Sequence, residues 1–170
     1  MPATTPNTTE NLKTAFAGES QANRKYLAFA RKADQDGFPR VARLFRAAAE
    51  AETIHALGHM QSLGMVGPTA ENLRAAVAGE TYEYKEMYPP MLDAAQKEGH
   101  RAKTMFAFAL KAEEVHAGLY ARALDAVGAG RDIEAAEVYL CPVCGHLELG
   151  KPGAKCPICG LPAEKYKRVE

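Results

Sequence analysis

The chain has 170 residues, of which 47% are hydrophobic and 25% charged, and its formal net charge is zero. A chain of this size can bury one core and carry a small additional domain. Zero net charge without long runs of like charge argues against electrostatic attraction to nucleic acid or an acidic membrane, so neither is an expected partner. No export signal and no run of about 18 apolar residues occurs, which leads us to expect a cytoplasmic protein.

Four long segments with apolar residues at helical spacing follow a leader at residues 1–9, which we expect to be flexible. Thr69 is the expected N-cap of the third helix, and Pro89 and Pro90 are expected to bend it. No alternating strand pattern interrupts these segments, which predicts an all-α four-helix bundle over residues 10–130. The predicted helices cover residues 10–34, 39–63, 69–99 and 100–127.

An internal repeat divides the helical region into two halves. Residues 10–19 read ENLKTAFAGE and residues 71–80 read ENLRAAVAGE, an offset of 61 (71 − 10). We interpret the chain as a duplicated helical hairpin. The same offset aligns two Glu-x-x-His pairs, Glu52 with Glu113 and His55 with His116.

The repeat predicts a metal site inside the bundle. Residues three apart share one face of a helix, so each Glu-x-x-His pair can bind one ion. In each half a further glutamate on the preceding helix reaches a similar height when the hairpin folds back. Such a set is expected of a di-iron or di-manganese site, although zinc remains an alternative. The six predicted ligands are Glu19, Glu52, His55, Glu80, Glu113 and His116.

Glu83 breaks the symmetry of the repeat. It lies one turn beyond Glu80 on the same face, whereas the offset of 61 gives Ala22 as its counterpart. We interpret Glu83 as a seventh ligand that can change coordination with the redox state of the metals. The alternative is an ordinary solvated glutamate.

A cysteine-rich tail over residues 139–170 follows a linker at residues 131–138. Its two CPxCG motifs can present four thiolates tetrahedrally. A structural zinc ribbon is the commoner occupant of such a motif, iron has the same geometry, and a disulfide between close cysteines is a third alternative. The four cysteines are Cys141, Cys144, Cys156 and Cys159.

The motifs AGE, AETIH, GETYEYKEMYP and AEEVH, together with the cysteine tail, resemble the rubrerythrin family over nearly the whole chain from Glu10. The resemblance implies a ferritin-like bundle with a rubredoxin-like C-terminal domain, and hydrogen-bonding tyrosines at Tyr26 and Tyr88. His59 is expected in a second shell or at the surface, and the remaining histidines, His100 and His146, are expected to be exposed. The resemblance implies metal ligands at Glu19, Glu52, His55, Glu80, Glu83, Glu113 and His116.

The resemblance also implies a function. We expect a non-haem di-iron peroxidase that reduces hydrogen peroxide to water in oxidative-stress defence. Electrons would come from an external NAD(P)H-linked reductase through an iron in the tail, because the chain has no dinucleotide-binding motif of its own. The alternatives are a ferroxidase or iron-handling relative of ferritin with a zinc tail, and a non-enzymatic interaction module stapled by metals.

The connector at residues 64–68 bears on assembly. The family runs its second and third helices parallel, so a connector must return along a helix of about 38 Å, whereas five residues span about 17 Å. The chain therefore adopts either an up-down-up-down order or a homodimer with swapped hairpins, and we predict the swap. Each site would then take Glu19, Glu52 and His55 from one chain and the other four ligands from its partner. In the family the tail of one subunit also lies beside the bundle of another.

Overall fold

A computed structural model describes residues 7–134 and 137–170. The chain divides into two compact units, the first ending at Gly67 and the second extending from Pro68 to Glu170. Residues 1–6 of the predicted leader and two residues of the predicted linker, 135 and 136, lie outside the described residues. Among the helices that the structure describes, none has the length and apolar character needed to cross a membrane.

The first unit is a helical hairpin of α1 (Thr8–Gln35) and α2 (Pro39–Ser62). Helix α1 begins two residues before the expected Glu10 because Asn7 caps it. The Glu10 backbone N–H donates to the Asn7 side chain at 3.0 Å, and the Asn7 N–H donates to the Glu10 carboxylate at 3.1 Å. This reciprocal pair satisfies two N–H groups that the first helical turn leaves without a helical partner.

Small side chains bring α1 and α2 close together. Ala42, Ala49 and Ala56 are buried at intervals of seven residues, or about two helical turns, along one stripe of α2. Asn23 on α1 donates from its amide nitrogen to the Ala49 carbonyl at 2.7 Å and to the Thr53 hydroxyl at 2.8 Å. The packing thus places the middle of α1 beside the middle of α2, where the predicted ligands lie.

The second unit begins with α3 (Thr69–Tyr82), a π-helical segment (Glu83–Met87) and α4 (Tyr88–Lys97), and returns through α5 (Ala102–Gly128). The structure therefore differs from the predicted single helix bent by its prolines. Pro89 and Pro90 lie in the first turn of α4, where their missing N–H groups cost little, and the irregular turn precedes them. The prediction for Thr69 is wrong, since Pro68 occupies the cap position.

The cysteine tail contains a three-stranded antiparallel sheet. Its strands are β1 (Val138–Leu140), β2 (Leu147–Leu149) and β3 (Lys167–Val169), in the order β2-β1-β3. Val138 pairs with both Leu149 and Val169, which places β1 in the centre. The two cysteine motifs lie in the loops next to this sheet.

The tail packs against the second hairpin of its own chain. Phe108 on α5 packs against the cluster of buried cysteines, and His116 on α5 lies within hydrogen-bond distance of the Gly145 carbonyl. The resemblance implied a tail beside the bundle of another subunit. In this chain the second unit by itself already joins a predicted metal ligand to the tail.

Candidate metal centres

The first unit brings three predicted ligands together. One donor atom each from Glu19 on α1 and from Glu52 and His55 on α2 lie within 4.8 Å of one another. His55 Nδ1 is 3.0 Å from Glu52 Oε2, as expected for residues one helical turn apart. The His55 side chain remains 55% exposed within this unit. These residues form the first triad.

The second unit repeats this arrangement in the second triad, which consists of Glu80 on α3 and Glu113 and His116 on α5. Their donor atoms also lie within 4.8 Å of one another. His116 Nδ1 is 2.7 Å from Glu113 Oε2 and 3.8 Å from Glu80 Oε2, and the His116 side chain is only 16% exposed. The neighbouring carboxylate of Glu114 is exposed, so Glu113 is the glutamate that this part of α5 contributes to the triad.

The donor chemistry of each triad fits a divalent metal. Two carboxylates and one imidazole suit iron or manganese. In the second triad burial raises the pKa of Glu80, and its hydrogen bond with Glu113 and the Glu113 charge raise it further. Carboxylates held this close repel one another when both are ionised, and a bound cation would remove the repulsion.

His116 has a fixed ring orientation. Its Nδ1 faces the carboxylates of the second triad, while its Nε2 is 2.9 Å from the Gly145 carbonyl oxygen. A carbonyl only accepts hydrogen bonds, so Nε2 is the donor to Gly145, and Nδ1 is the ring nitrogen directed at the carboxylates, where a metal would bind. Hydrogen bonds of this kind orient metal-binding imidazoles and increase their basicity.

Glu83 lies beside the second triad at the first residue of the π-helical segment. Burial and the charge of Glu80 raise the pKa of Glu83, while His116 lowers it. The Tyr88 N–H donates to the Glu83 carbonyl, five residues back, which is the hydrogen bond of a π-turn. Such turns are frequent at functional sites, and Glu83 as a seventh ligand remains a prediction.

The π-helical segment also corrects the description of the repeat. The offset is 61 at the glutamates Glu19 and Glu80, but Tyr26 and Tyr88 differ by 62 (88 − 26), as do the buried alanines Ala33 and Ala95 (95 − 33). The second half therefore contains one inserted residue, which the π-turn accommodates, and the loop before α5 restores the offset of 61. The assumption that the offset is 61 throughout therefore missed this inserted residue.

The two predicted tyrosines lie in different surroundings. The Tyr26 ring packs against Phe29 and Phe45, with centroids 6.3 and 6.1 Å away. The Tyr88 ring lies 6.1 Å from Phe106, and burial and then the charges of Glu113, Glu83 and Glu80 raise the pKa of Tyr88. The hydroxyl of Tyr88 is thus close enough to the second triad to sense its carboxylates.

The four cysteine sulfurs form one compact group. All lie within 4.8 Å of one another, with Cys141 and Cys159 3.5 Å apart and Cys144 and Cys156 also 3.5 Å apart. A tetrahedral ion with sulfur ligands at about 2.3 Å has sulfurs about 3.8 Å apart. All four thiols are free, so the disulfide alternative is wrong and the group fits a tetrahedral metal.

The thiols differ in the groups around them. Burial opposes ionisation of Cys156, but hydrogen bonds from Tyr166 and from the backbone at Cys159 and Ile158 outweigh it and lower its pKa to about 6. Burial instead raises the pKa of the Cys144 thiol. The cluster therefore offers both a ready thiolate and hydrogen-bond donors to sulfur, which stabilise a metal-thiolate site.

The prediction for His146 is wrong. We expected an exposed side chain, but the residue is 4% exposed and its Nδ1 lies 3.0 Å from the Tyr166 hydroxyl. Burial lowers the pKa of His146, the charge of Glu148 raises it, and the charge of His116 lowers it. The sequence contains an indication of this burial. His146 comes two residues after Cys144, and an apolar residue, Leu161, occupies the same place after Cys159. His100 is exposed, as expected.

Comparisons with known proteins cover nearly the whole chain. The family described as Rubrerythrin matches residues 10–124, and the domain described as Rubrerythrin, rubredoxin-like domain matches residues 139–167. Rubrerythrin-2 of Clostridium acetobutylicum is 37% identical over 94% of this chain and 95% of its own length. Nigerythrin of Nitratidesulfovibrio vulgaris is 39% identical over 94% of this chain and 85% of its own.

A solved structure gives the same result. The structure of nigerythrin in its fully reduced, all-ferrous state aligns with a TM-score of 0.58 and 34% identity, covering 99% of this chain and 89% of that chain. The matches confirm the predicted class, a ferritin-like four-helix protein with a rubredoxin-like domain. The family carries a di-iron site and a four-cysteine site, and both donor sets occur here. This chain belongs to the rubrerythrin family.

Proposed function

We propose that this protein is a non-haem di-iron peroxidase that reduces hydrogen peroxide to two waters with two electrons and two protons. An external NAD(P)H-linked reductase supplies the electrons through iron in the four-cysteine site. The observation that carries the proposal is the hydrogen bond from His116 Nε2 to the Gly145 carbonyl at 2.9 Å. This hydrogen bond connects the second triad, which we propose binds iron of the metal pair, to the four-cysteine group, which we propose binds the iron that carries single electrons.

The hydrogen bond supplies a short path between the two donor sets. Gly145 follows Cys144 directly in the chain, and His116 Nδ1 faces the carboxylates of the second triad. An electron arriving at the Cys144 sulfur thus has one residue, one hydrogen bond and one imidazole ring to cross. A zinc ribbon would hold the same fold but could not change valence, so a direct link favours a redox role for the tail.

The residues around the triads suit reduction of a peroxide. A reduced iron pair supplies the two electrons that cleavage of the oxygen–oxygen bond requires. Each triad would hold one iron, and Glu83 would add a carboxylate from the π-helical segment. The raised pKa of Tyr88 keeps its hydroxyl protonated at neutral pH, so it can donate a hydrogen bond to a bound oxygen atom. Tyr26 is the corresponding hydroxyl of the first hairpin.

Rapid mixing tests the activity. Iron-loaded protein is reduced without oxygen, mixed with equal concentrations of hydrogen peroxide or dioxygen, and followed by the visible absorption of the iron-thiolate site. We expect peroxide to oxidise the protein faster, with reoxidation of the tail iron after that of the iron pair. The metals bound to the same protein sample are identified by elemental analysis. Preference for dioxygen together with zinc in the tail would instead support a ferroxidase.

We also propose that the protein is a homodimer with swapped hairpins. Six residues, 63–68, separate α2 from α3 and span at most about 21 Å, whereas α2 with its 24 residues is about 36 Å long. The connector is therefore too short for parallel second and third helices in one bundle. In the swapped dimer each metal centre combines the first triad of one chain with the second triad of the other.

Mixing two inactive variants in one dimer tests whether the hairpins are swapped. Glu52→Ala inactivates the first triad, and Glu113→Ala inactivates the second. In a swapped dimer of one chain of each kind, both substitutions fall in the same centre and the other centre is intact. We expect each variant alone to be inactive and the purified mixed dimer to recover about half of the activity. Without a swap every centre contains one substitution, so a mixed dimer without activity would refute the proposal.

A further inference from the structure

The two cysteine motifs form knuckles with the same backbone. In each, the N–H of the first cysteine donates to the carbonyl five residues further on, Cys141 to His146 at 2.8 Å and Cys156 to Leu161 at 2.7 Å. The glycine after each second cysteine has a φ of 83° or 77°, a conformation that favours glycine. The knuckles thus differ at the residue that closes them, histidine in one and leucine in the other.

The His146 ring makes its polar contact inside the rubredoxin-like domain. The side chain is buried, its Nδ1 lies 3.0 Å from the Tyr166 hydroxyl, and the two rings meet edge to face with centroids 6.1 Å apart. Its Nε2 lies 3.9 Å from the nearest Glu148 oxygen, beyond hydrogen-bond distance. The strong polar contact of the ring is therefore the one with Tyr166.

Tyr166 has a second partner. Its ring packs against the cysteine cluster, and a hydrogen bond from its hydroxyl lowers the pKa of the Cys156 thiol. A tyrosine hydroxyl has one hydrogen, and a metal-bound thiolate can only accept. If that hydrogen points to Cys156, the hydroxyl oxygen is free to accept, and His146 must donate from Nδ1.

We propose that His146 and Tyr166 are positioning residues for the four-cysteine site: His146 donates from Nδ1 to the Tyr166 oxygen and thereby directs the Tyr166 hydroxyl hydrogen onto the Cys156 sulfur. This hydrogen bond raises the reduction potential of the iron, a consequence that rests on the proposed iron occupancy. One electron from the reductase adds one negative charge to the iron-thiolate group and moves no proton. A donor to sulfur stabilises the more negative state, so reduction becomes easier.

The reduction potential tests the hydrogen bond. Tyr166→Phe keeps the ring and removes the hydroxyl, and we expect the equilibrium constant for reduction to fall about three- to tenfold. This corresponds to a decrease of about 28 to 59 mV, at 59 mV per tenfold change for one electron. Tyr139→Phe is the matched control, because that hydroxyl donates to Glu137 and not to a cysteine. An unchanged potential in Tyr166→Phe, or an equal decrease in the control, would overturn the proposal.

A double-mutant cycle tests the role of His146. His146→Leu introduces the residue of the second knuckle, and we expect a smaller decrease in potential than for Tyr166→Phe. Because His146 acts through Tyr166, the double variant should have the potential of Tyr166→Phe alone. Additive decreases would show that His146 acts independently and would contradict its assigned role.

Zinc-loaded protein separates this inference from the proposed function. Zinc has the same tetrahedral geometry and allows nitrogen-15 NMR of the histidine ring without a paramagnetic ion. We expect the His146 hydrogen on Nδ1, and its Nδ1 signal to shift in Tyr166→Phe. A hydrogen on Nε2 alone would mean that Tyr166 donates to His146, which overturns the inference whichever metal the tail carries. If the tail held only zinc in the native protein, the proposed function would fail while this measurement still decided the hydrogen bond.

Discussion

The two hairpins carry the same triad of two glutamates and a histidine, but they hold it differently. In the first, α1 is a regular helix and His55 is 55% exposed. In the second, a π-turn interrupts the corresponding helix, and His116 is 16% exposed with its Nε2 at the Gly145 carbonyl. The two copies therefore share the same donor groups and differ in the residues that surround them.

The differences lie together in the second hairpin. The inserted residue, the extra carboxylate of Glu83, the raised pKa of Tyr88 and the contact with the tail all occur in the second unit. The first hairpin carries the simpler triad, between helices held together by packed alanines and by Asn23. In the proposed peroxidase the first half would mainly bind metal, whereas the second half would also control electrons and protons.

The largest expected effect comes from removing a histidine. His55→Ala and His116→Ala each remove one ligand, so we expect loss of iron and a decrease in peroxidase activity of at least about 100-fold in both. The two variants should differ in stability when no metal is bound. His116→Ala also loses the hydrogen bond to Gly145 and should be less stable than His55→Ala by about 0.5–1.5 kcal/mol. Metal analysis measures the loss of iron, and urea denaturation measures the stability. Equal stabilities of the two variants would contradict the proposed role of the Gly145 hydrogen bond in the second hairpin.

A smaller effect is expected when the second hairpin is made to resemble the first. Glu83→Ala introduces the residue of Ala22, and we expect retention of iron but a decrease in the rate of peroxide reduction of about 10- to 100-fold. Glu114→Ala is the control, because Glu114 is exposed on the other side of α5. A normal rate in Glu83→Ala would identify Glu83 as an ordinary solvated glutamate.

In the first hairpin the corresponding test concerns stability. Asn23→Ala removes both hydrogen bonds from α1 to α2, and we expect the free energy of unfolding to decrease by about 1–2 kcal/mol. Lys25→Ala, at an exposed position of the same helix, should change it by less than about 0.5 kcal/mol. Chemical denaturation of the metal-free proteins measures the difference, and equal values would show that helix packing alone holds the hairpin.

The smallest effect is a pH dependence of the metal-free protein. The pKa values of Glu80 and Glu83 are raised above the ordinary 4.5, so the folded chain binds these protons more tightly than the unfolded chain. Stability should therefore decrease as the pH rises from 4.5 through the raised values. The effect is modest because both carboxylates are partly hydrated. Glu80→Gln with Glu83→Gln should flatten the curve above pH 4.5, and an unchanged slope would contradict this assignment.

Much of the clustering of donor groups could be predicted because it depends on spacing. Helical periodicity places residues three apart on one face, the repeat identifies the second triad, and paired CPxCG motifs define the four-cysteine group. The capping of α1 also had a local signal, since Asn7 precedes Glu10 at the spacing of a capping box. These features depend on residues close in sequence, where local geometry decides the result.

The features that escaped prediction depend on longer-range relations. A π-turn leaves the hydrophobic periodicity on both sides nearly unchanged, and only the change of offset from 61 to 62 reveals it. The burial of His146 requires Tyr166, twenty residues away, to fold back over the first knuckle. Neither periodicity nor composition contains that contact.

The separation of the ligands along the chain has a consequence for metal uptake. The two halves of the tail site are 12 positions apart, from Cys144 to Cys156, whereas the two glutamates of the second triad are 33 positions apart (113 − 80). Closing the longer loop costs about 1 kcal/mol more in chain entropy, and the tail needs no second copy of the protein. We therefore expect a newly made chain to bind metal at its C-terminal end first, so that the proposed electron carrier would form before the proposed peroxidase centre.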